Sequence, residues 1–389
     1  MDQKYTNRIT PVGVGAALIF ACGPFMYANI GGFGLFIYLM IFYIGMMLLQ
    51  GFGEQKGKIF LYLKRTQKIL LTFISWEIIT YFWSSYNTSG NIYTSFKLAF
   101  FTMLLISNYY SENDKKLIMF TQTATAVFAV FLMLNTTRTV NVNFLEERAS
   151  FSFFGVAQDP NYMCLFIIIP IIYLFQIILQ KKKAFTKVLA GIFLILLFYG
   201  IMCTGSRGGL FGALLGIIIY FLFYKRISIK KILISLLFIF LLFCLYENMI
   251  RLLPDAVASR YSIEEIFSSG GTGSRTSLWL EYFSVLLEDP LAILIGFGKS
   301  SGPYMIGFAA HNYFIQEVFE CGFVGLALLF CLILELYKQA IRRENWLTMS
   351  ALSGVLILSC TLSVGSQTSF WLAVVYIEII SRADNCNIS

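Results

Sequence analysis

Charged residues are scarce in this sequence. Of its 389 residues, 13% are charged and 58% are hydrophobic, whereas a soluble domain carries roughly a quarter charged residues. This scarcity argues against a large water-exposed domain beside the apolar part of the chain. Because a membrane-spanning helix needs about 20 mostly apolar residues, the composition predicts a bundle of membrane helices.

Metal-ligand and disulfide patterns are lacking too. The chain has a single His, and its eight Cys contain no CxxC pair. Neither a zinc site nor a disulfide framework is supported by such a pattern. We therefore expect neither a metal nor a cofactor.

Long apolar runs make up most of the sequence, and they predict an all-α, polytopic membrane bundle of about twelve helices. The runs cover residues 10–28, 32–49, 69–83, 92–107, 117–134, 160–180, 187–203, 209–224, 232–246, 312–337, 346–363 and 367–381. We expect residues 1–389 to form one membrane domain.

The distribution of Lys predicts the topology. With a cytoplasmic N-terminus, the Lys-rich loops all fall on one side, and the opposite loops carry mainly Arg, as the positive-inside rule requires. This bias accounts for the net charge of +8 without nucleic acid, and it places both termini in the cytoplasm of a bacterial inner or plasma membrane. The connection at 247–311 then lies outside. It is longer than an ordinary linker, so we expect function there.

A glycine-rich turn at 204–209 joins the seventh and eighth runs. It places Arg207 at the start of a helix, together with backbone N–H groups that lack intrahelical partners. This arrangement favours an anion site. The alternative is an Arg that extends from the helix end toward lipid headgroups.

A second glycine-rich segment, 270–274, precedes a stretch in which apolar residues recur three and four apart. The spacing predicts an amphipathic helix at the membrane interface with Ser274 as its N-cap. Arg275 would lie in the first turn, where the helix dipole disfavours a cation unless an anion is bound. The alternative is contact with lipid headgroups.

A third segment, 296–300, contains Gly298-Lys299-Ser300, but a P-loop would need Gly where Ile293 stands, so we reject that interpretation. His311 follows at the mouth of the tenth run. Its near-neutral pKa suits a proton acceptor, although a structural role is the alternative.

Acidic residues fall inside several apolar runs, among them Glu77, Glu317 and Glu320, and a carboxylate there is costly and often functional. Glu320 would orient a substrate hydroxyl or pair with an Arg. Glu77 would pair with Lys97 of the fourth run. At the start of the sixth run, helix capping is a sufficient explanation of Asp159-Pro160, and a substrate role is the alternative.

The order of these motifs resembles the O-antigen ligase and polymerase superfamily. The motifs are Asp159-Pro160-Asn161, Ser206-Arg207-Gly208-Gly209, Gly273-Ser274-Arg275 with Trp279, Gly296-Phe297-Gly298, and Ala310-His311-Asn312-Tyr313 with Glu320 and Gly322. They lie between about 155 and 325. The topology, with its long outer loop after the ninth span, extends the similarity over the whole chain.

The resemblance implies a GT-C-like fold. It also implies an inverting, metal-independent glycosyltransferase that moves a glycan from undecaprenyl diphosphate to an acceptor hydroxyl outside the cytoplasm. Arg207 and Arg275 would bind the diphosphate. His311 would be the base or would orient the acceptor, and Asn312 and Glu320 would contact substrate. Besides membrane lipid, the expected partners are a flippase and a chain-length regulator. Residues 26–32 contain no Asp or Glu, so the acidic metal site of oligosaccharyltransferase-type enzymes is not expected.

Within this superfamily we predict a polysaccharide polymerase for O-antigen or capsule, because the modest outer loop offers little surface for a dedicated acceptor platform. An O-antigen ligase, a protein O-oligosaccharyltransferase and a shape-type peptidoglycan polymerase are the enzymatic alternatives. A flippase is the alternative from another class. It would need charges along a central path, whereas the Arg and His candidates gather at the outer rim, and no internal repeat is visible.

Overall fold

The computed structural model describes residues 8–381 except for 26–27, 31–32, 55–63, 85–109, 136–138, 142–146, 150–151, 154–155, 158, 181, 263–273 and 366. The described chain is almost entirely helical, which confirms the predicted all-α class. The described residues also form three antiparallel ribbons, each of two short strands. The pairs are β1 (Asn29–Ile30) with β2 (Phe33–Gly34), β3 (Thr139–Asn141) with β4 (Glu147–Ala149), and β5 (Ser152–Phe153) with β6 (Val156–Ala157).

The helices follow the apolar runs and fill the long connection between the ninth and tenth of them. In chain order they are α1 (Pro11–Ala21), α2 (Leu35–Glu54), α3 (Arg65–Thr80), α4 (Glu112–Asn135), α5 (Pro160–Leu179), α6 (Ala184–Cys203), α7 (Arg207–Phe223), α8 (Ile229–Ile250), α9 (Asp255–Ala258), α10 (Ser274–Glu288), α11 (Pro290–Ile295), α12 (Ser301–Ile306), α13 (Tyr313–Arg342), α14 (Trp346–Ser359) and α15 (Thr368–Ser381). Short 3-10 turns cover Gly23–Phe25 and Ser259–Tyr261.

Each predicted apolar run except the fourth coincides with a helix, and the fourth, 92–107, lies outside the described residues. By length and composition, five described helices can cross a membrane: α4, α5, α6, α8 and α13. Shorter apolar helices cover α1, residues 35–50 of α2, α7, α14 and α15. The chain is thus a polytopic helical membrane protein, and the number and direction of its spans stay predictions.

The core of the bundle surrounds α5 and α15. From Met163 to Ile172 every residue of α5 is buried, and so is every residue of α15. Helices that are apolar on all sides belong in the interior of a bundle. In contrast, α8 is equally apolar but exposed along almost its whole length, as expected for a helix surrounded by lipid.

The amphipathic helix predicted in the long connection is α10. Ser274 is its first residue instead of the residue before it, a difference of one position at a helix end. The helix buries Tyr282 and Leu286 against α13, where the rings of Tyr282 and Phe319 lie 4.8 Å apart. Leu280 and Leu287 remain exposed. Its place at a membrane interface stays a prediction.

Candidate functional site

The start of α7 positions Arg207. The Ser206 hydroxyl accepts a hydrogen bond from the N–H of Gly209 and so caps the helix. Arg207 donates from Nε to the carbonyl of Arg260 at 2.8 Å, and Arg260 donates from Nε to the carbonyl of Gly205 at 3.3 Å. Each arginine thus ties the turn before α7 to the connection after α8. The terminal nitrogens of a guanidinium engaged through Nε can still bind an anion.

His311 and Arg275, predicted from separate segments, lie close together. Trp279 of α10 donates its indole N–H to the carbonyl of Ala310 at 2.7 Å, which fixes the first turns of α10 beside the residue before His311. The side chain of His311 keeps an exposed face, and its backbone is left-handed with φ of 49°. This conformation is uncommon for a non-glycine residue, and it marks the chain reversal into α13.

The environment of His311 lowers its pKa. Partial burial has the largest effect, Arg275 adds to it, and Asp159 acts in the opposite direction. Burial disfavours the charged ring, and a nearby cation does the same. Both causes favour the neutral ring, which is the form that can accept a proton. We call Asp159, Arg275 and His311 the rim cluster.

The rim cluster and Arg207 lie at the same end of the bundle. Asp159 caps α5 by accepting from the N–H of Asn161 at 2.7 Å, and it also faces His311. One turn further along α5, Cys164 lies 3.5 Å from the Thr204 hydroxyl in the turn that precedes Arg207. Asp159 therefore has a position beside His311 in addition to the capping role that the sequence indicated.

Asn312 has a structural role. Its side-chain oxygen accepts from the N–H groups of Phe314 and Ile315 and so caps α13. The predicted substrate contact would have to use the amide nitrogen. That contact stays a prediction.

A break in α13 brings the third glycine-rich segment into the bundle. At Gly322 the backbone leaves the helix, with φ of 67° and ψ of −174°. The carbonyls of Phe319 and Glu320 accept hydrogen bonds from the N–H groups of Phe297 and Gly298, both at 2.9 Å. Irregular backbone inside a membrane bundle persists only where its polar groups are satisfied in this way.

The end of α3 holds the same segment from the other side. Trp83 donates to the carbonyl of Gly296 at 3.1 Å, and the Ser84 hydroxyl donates to the carbonyl of Lys299 at 2.8 Å. Gly296 has φ of 77°, and a Cβ there would lie 2.3 Å from the carbonyl oxygen of Glu320. The close approach therefore requires glycine at this position.

Lys299 is buried at the centre of three glutamates. Its Nζ lies 2.5 Å from Glu77 Oε1, 3.2 Å from Glu317 Oε2 and 3.5 Å from Glu320 Oε2. Burial alone would lower the pKa of Lys299, but the neighbouring carboxylates, Glu317 and Glu77 foremost, raise the pKa well above its ordinary value. We call these four residues the Lys299 cluster.

The Lys299 cluster gives two of the predicted acidic residues a partner that the sequence did not indicate. The sequence paired Glu77 with Lys97, which lies outside the described residues; among the described residues Glu77 pairs with Lys299. For Glu320 the sequence left open an Arg or a substrate hydroxyl. Its charged partner among the described residues is Lys299, and the substrate contact stays a prediction. The rejection of a P-loop is compatible with the geometry, since this ammonium is engaged by carboxylates. A lysine in a glycine-rich loop near intramembrane glutamates was the signal that could have indicated the cluster.

The Lys299 cluster borders a cavity of about 320 Å³, which we call the Lys299 cavity. Its walls come from the end of α3, from α12, from the first turns of α13 and from the segment before α15. The lining residues are Tyr81, Lys299, Ser300, Pro303, Tyr304, Tyr313, Gln316, Glu317, Glu320 and Gly365.

Acidic and thiol groups meet on one side of this cluster. The ligand atoms of Glu77, Glu317 and Cys321 lie within 4.8 Å of one another. The ammonium of Lys299 stands between the two carboxylates, so a cation belonging to the protein compensates part of their charge.

Comparison with known proteins agrees with the sequence motifs. Residues 192–330 match the family model described as O-antigen ligase. This match contains every motif from Arg207 to Glu320 and confirms the predicted resemblance over that part of the chain. Glu77 and Asp159 lie outside the matched segment.

A search of curated proteins gives no match. Among solved structures, the chain is similar to one chain from a study of the structural coordination of polymerization and crosslinking by a peptidoglycan synthase complex. The TM-score is 0.54 with 12% identity, over 84% of this chain and 100% of that chain. At this identity the likeness concerns the fold alone.

Proposed function

We propose that this protein is a metal-independent glycosyltransferase that transfers a glycan from an undecaprenyl-diphosphate-linked donor to an acceptor sugar hydroxyl outside the cytoplasm. The family match supports O-antigen ligase- or polymerase-type glycan chemistry in a membrane. The observation that carries the proposal is the hydrogen bond from Trp279 to the carbonyl of Ala310, which holds the first turns of α10, with Arg275, next to the segment that carries His311. The pair of Arg275 and His311 places a cation for a leaving phosphate next to a ring that is kept neutral.

In the proposed transfer, the acceptor hydroxyl oxygen bonds to the anomeric carbon while the bond from that carbon to the diphosphate oxygen breaks. His311 takes the hydroxyl proton as the bond forms. The diphosphate leaves with the electron pair, and the guanidinium groups of Arg275 and Arg207 stabilise its negative charge. Attack from the side opposite the diphosphate inverts the anomeric centre.

Among the reactions of this kind, we favour polymerisation of O-antigen or capsular repeats. In the described part of the long connection, α10, α11 and α12 pack on α13, and α9 packs near the end of α6. This arrangement leaves little area for a large acceptor protein. A ligase or a protein O-oligosaccharyltransferase would use the same donor chemistry. Deleting the gene and resolving the surface glycan by size distinguishes them, because loss of a polymerase leaves single repeats and loss of a ligase leaves no transferred glycan.

A flippase for the same lipid-linked sugar is the second candidate, and the Lys299 cluster favours it, since buried charges between helices are typical of transport paths. The cluster surrounds one cavity beside the rim cluster, an arrangement that also suits an enzyme. Lipid-linked intermediates trapped on the inner leaflet of a deletion strain would favour the flippase.

The enzymatic proposal is tested by single-turnover transfer with purified protein and lipid-linked repeats. Arg275→Ala and Arg207→Ala should nearly abolish transfer, and Lys at either position should rescue poorly because a guanidinium fork fits phosphate oxygens better. The exposed Arg251 provides a control, and Arg251→Ala should be mild. Wild-type transfer in Arg275→Ala would contradict the proposal.

The same assay tests His311. General-base catalysis contributes about 10²- to 10⁴-fold, so His311→Ala should lose most of the rate while the donor still binds. Gln keeps a hydrogen-bonding group but cannot act as a base near neutral pH. Transfer by His311→Gln at close to the wild-type rate would therefore leave His311 with an orienting role only.

A further inference from the structure

We infer that the Lys299 cavity is the subsite for the acceptor sugar, and that Tyr313, Gln316 and Glu317 bind its hydroxyl groups. That the sugar is an acceptor rests on the proposed function. Binding of a neutral or amino sugar in the cavity can be measured without any transfer, so the two proposals can fail separately.

Buried polar atoms that line the cavity need a ligand. Among the described residues, the Tyr313 hydroxyl, Gln316 Oε1 and Glu317 Oε1 are buried and accept or donate no hydrogen bond. Tyr313 is 2% exposed and Glu317 is 1% exposed. An unsatisfied buried polar group costs about 1–3 kcal/mol, so three beside one cavity indicate bonds that a bound molecule completes. A sugar offers hydroxyls that both donate and accept.

Other hydrogen bonds of Gln316 and Glu317 hold their unbonded side-chain oxygens in place. The amide nitrogen of Gln316 donates to Glu320 Oε1 at 2.8 Å, which leaves the Gln316 oxygen turned away from that carboxylate. Glu317 Oε2 is held by Lys299 at 3.2 Å, which leaves Oε1 as the second oxygen. Two hydrogen-bond-accepting oxygens are thus held in position before a ligand binds, and preorganisation of this kind reduces the free-energy cost of binding.

The charges around the cavity select the chemical class of the ligand. The carboxyl groups of Glu317 and Glu320 and the ammonium of Lys299 line the cavity, and that ammonium also pairs with Glu77. An anionic ligand would therefore meet like charge that the single cation does not offset. The diphosphate of the donor therefore belongs with the arginines Arg207 and Arg275, outside this cavity. A neutral hexose, an N-acetyl sugar or an amino sugar is compatible with the carboxylates.

The shape and location of the cavity fit one or two sugar rings of an acceptor. About 320 Å³ is near the lower end of the range for small-molecule sites. Tyr81, Tyr304 and Tyr313 form aromatic walls, and such rings combine an apolar face with a polar tip. Tyr313 begins α13 directly after Asn312 and His311. The cavity therefore lies at the end of α13 that follows the proposed base in the chain.

The test is direct binding of glucose, galactose, mannose, N-acetylglucosamine, glucosamine and glucuronate to the purified full-length protein, measured by saturation-transfer NMR and titration. At least one neutral or amino sugar should bind saturably, and glucuronate should not. Tyr313→Phe should weaken that sugar by roughly 2- to 10-fold, as expected for one hydrogen bond. Its melting temperature should not fall, because the removed hydroxyl has no partner among the described residues.

Tyr337→Phe is the matched control. The Tyr337 hydroxyl bonds the Ser353 hydroxyl at 2.7 Å in the contact between α13 and α14, so this variant should bind sugar normally and lose a little stability. The inference is overturned if none of the neutral or amino sugars binds, if glucuronate binds best, or if Tyr313→Phe binds as the wild type does. If the protein binds a sugar, if Tyr313→Phe weakens that binding, and if the protein nevertheless transfers no glycan, the sugar subsite is supported and the proposed function is contradicted.

Discussion

At the scale of single residues, His311 depends on opposed neighbours. Arg275 and partial burial lower its pKa, and Asp159 raises it. The net effect is a lowered pKa. The ring therefore stays neutral, and able to accept a proton, at a pH at which an ordinary His would already be charged. The acid limb of the pH–rate profile for transfer should therefore lie at lower pH than for an unperturbed His.

Removing the charge of Asp159 should move that limb further. Asp159→Asn removes a negative charge that raises the His311 pKa, so the neutral ring should persist to still lower pH. Asn is as good an N-cap as Asp, which preserves the start of α5. The measurement is kcat/KM against pH, with exposed Asp255→Asn as the control, and a shift of the limb to higher pH would contradict the assignment.

Lys299 supplies the cation that three buried glutamates need. Removing one partner of a buried ion pair typically costs about 3–5 kcal/mol, so Lys299→Met should strongly destabilise the protein. Unfolding of the purified protein in mixed micelles measures this, and exposed Lys182→Met should be near neutral. If Lys299→Met is no more harmful than the control, the glutamates do not depend on this ammonium.

At the scale of elements, the break in α13 determines where Lys299 lies. A Cβ at Gly322 would fall 2.2 Å from the carbonyl oxygen of Leu294, and its φ of 67° disfavours any side chain. The carbonyls freed there hold the backbone of Phe297 and Gly298. A continuous α13 would satisfy those carbonyls internally, and the segment that carries Lys299 would lose its attachment.

Gly322→Ala should therefore lower stability by about 1–3 kcal/mol, the usual cost of a strained backbone position, and should weaken sugar binding in the Lys299 cavity. Gly191 offers the contrast, because it lies inside α6, where an alanine methyl group would have no neighbouring atom within 4 Å among the described residues. Gly191→Ala should be neutral or stabilising by about 0.5–1 kcal/mol, as Ala is the better helix former. Equal melting temperatures for the two variants would mean that the break is not required.

At the scale of the whole molecule, the predicted topology can be tested at two exposed positions. In a cysteine-free background, Ser284→Cys on α10 should react with a membrane-impermeant maleimide in intact cells, because the long connection is predicted outside. Lys182→Cys, in a Lys-rich loop, should react only after permeabilisation. The opposite pattern would invert the topology and place the rim cluster in the cytoplasm.

The two candidate regions divide the proposed reaction between charges of opposite sign. In the proposal, Arg207 and Arg275 bind the diphosphate, and the Lys299 cavity binds the hydroxyl groups of the acceptor. Because α13 carries Glu317 and Glu320 and begins two residues after His311, one helix connects the two regions.

The sequence by itself determined the features that depend on the length, apolarity and glycine spacing of local segments. These features are the membrane bundle, the positions of eleven helices among the described residues, the amphipathic α10 and the family resemblance of the motifs. Only the tertiary structure decided that Glu77 pairs with Lys299, that Asp159 faces His311, and that a cavity lies beside α13. Each of these features joins residues that are far apart in the chain. Each depends on the break at Gly322 or on the packing of helix ends. A few backbone hydrogen bonds fix the arrangement there, and the apolar pattern of the sequence does not distinguish that arrangement from others.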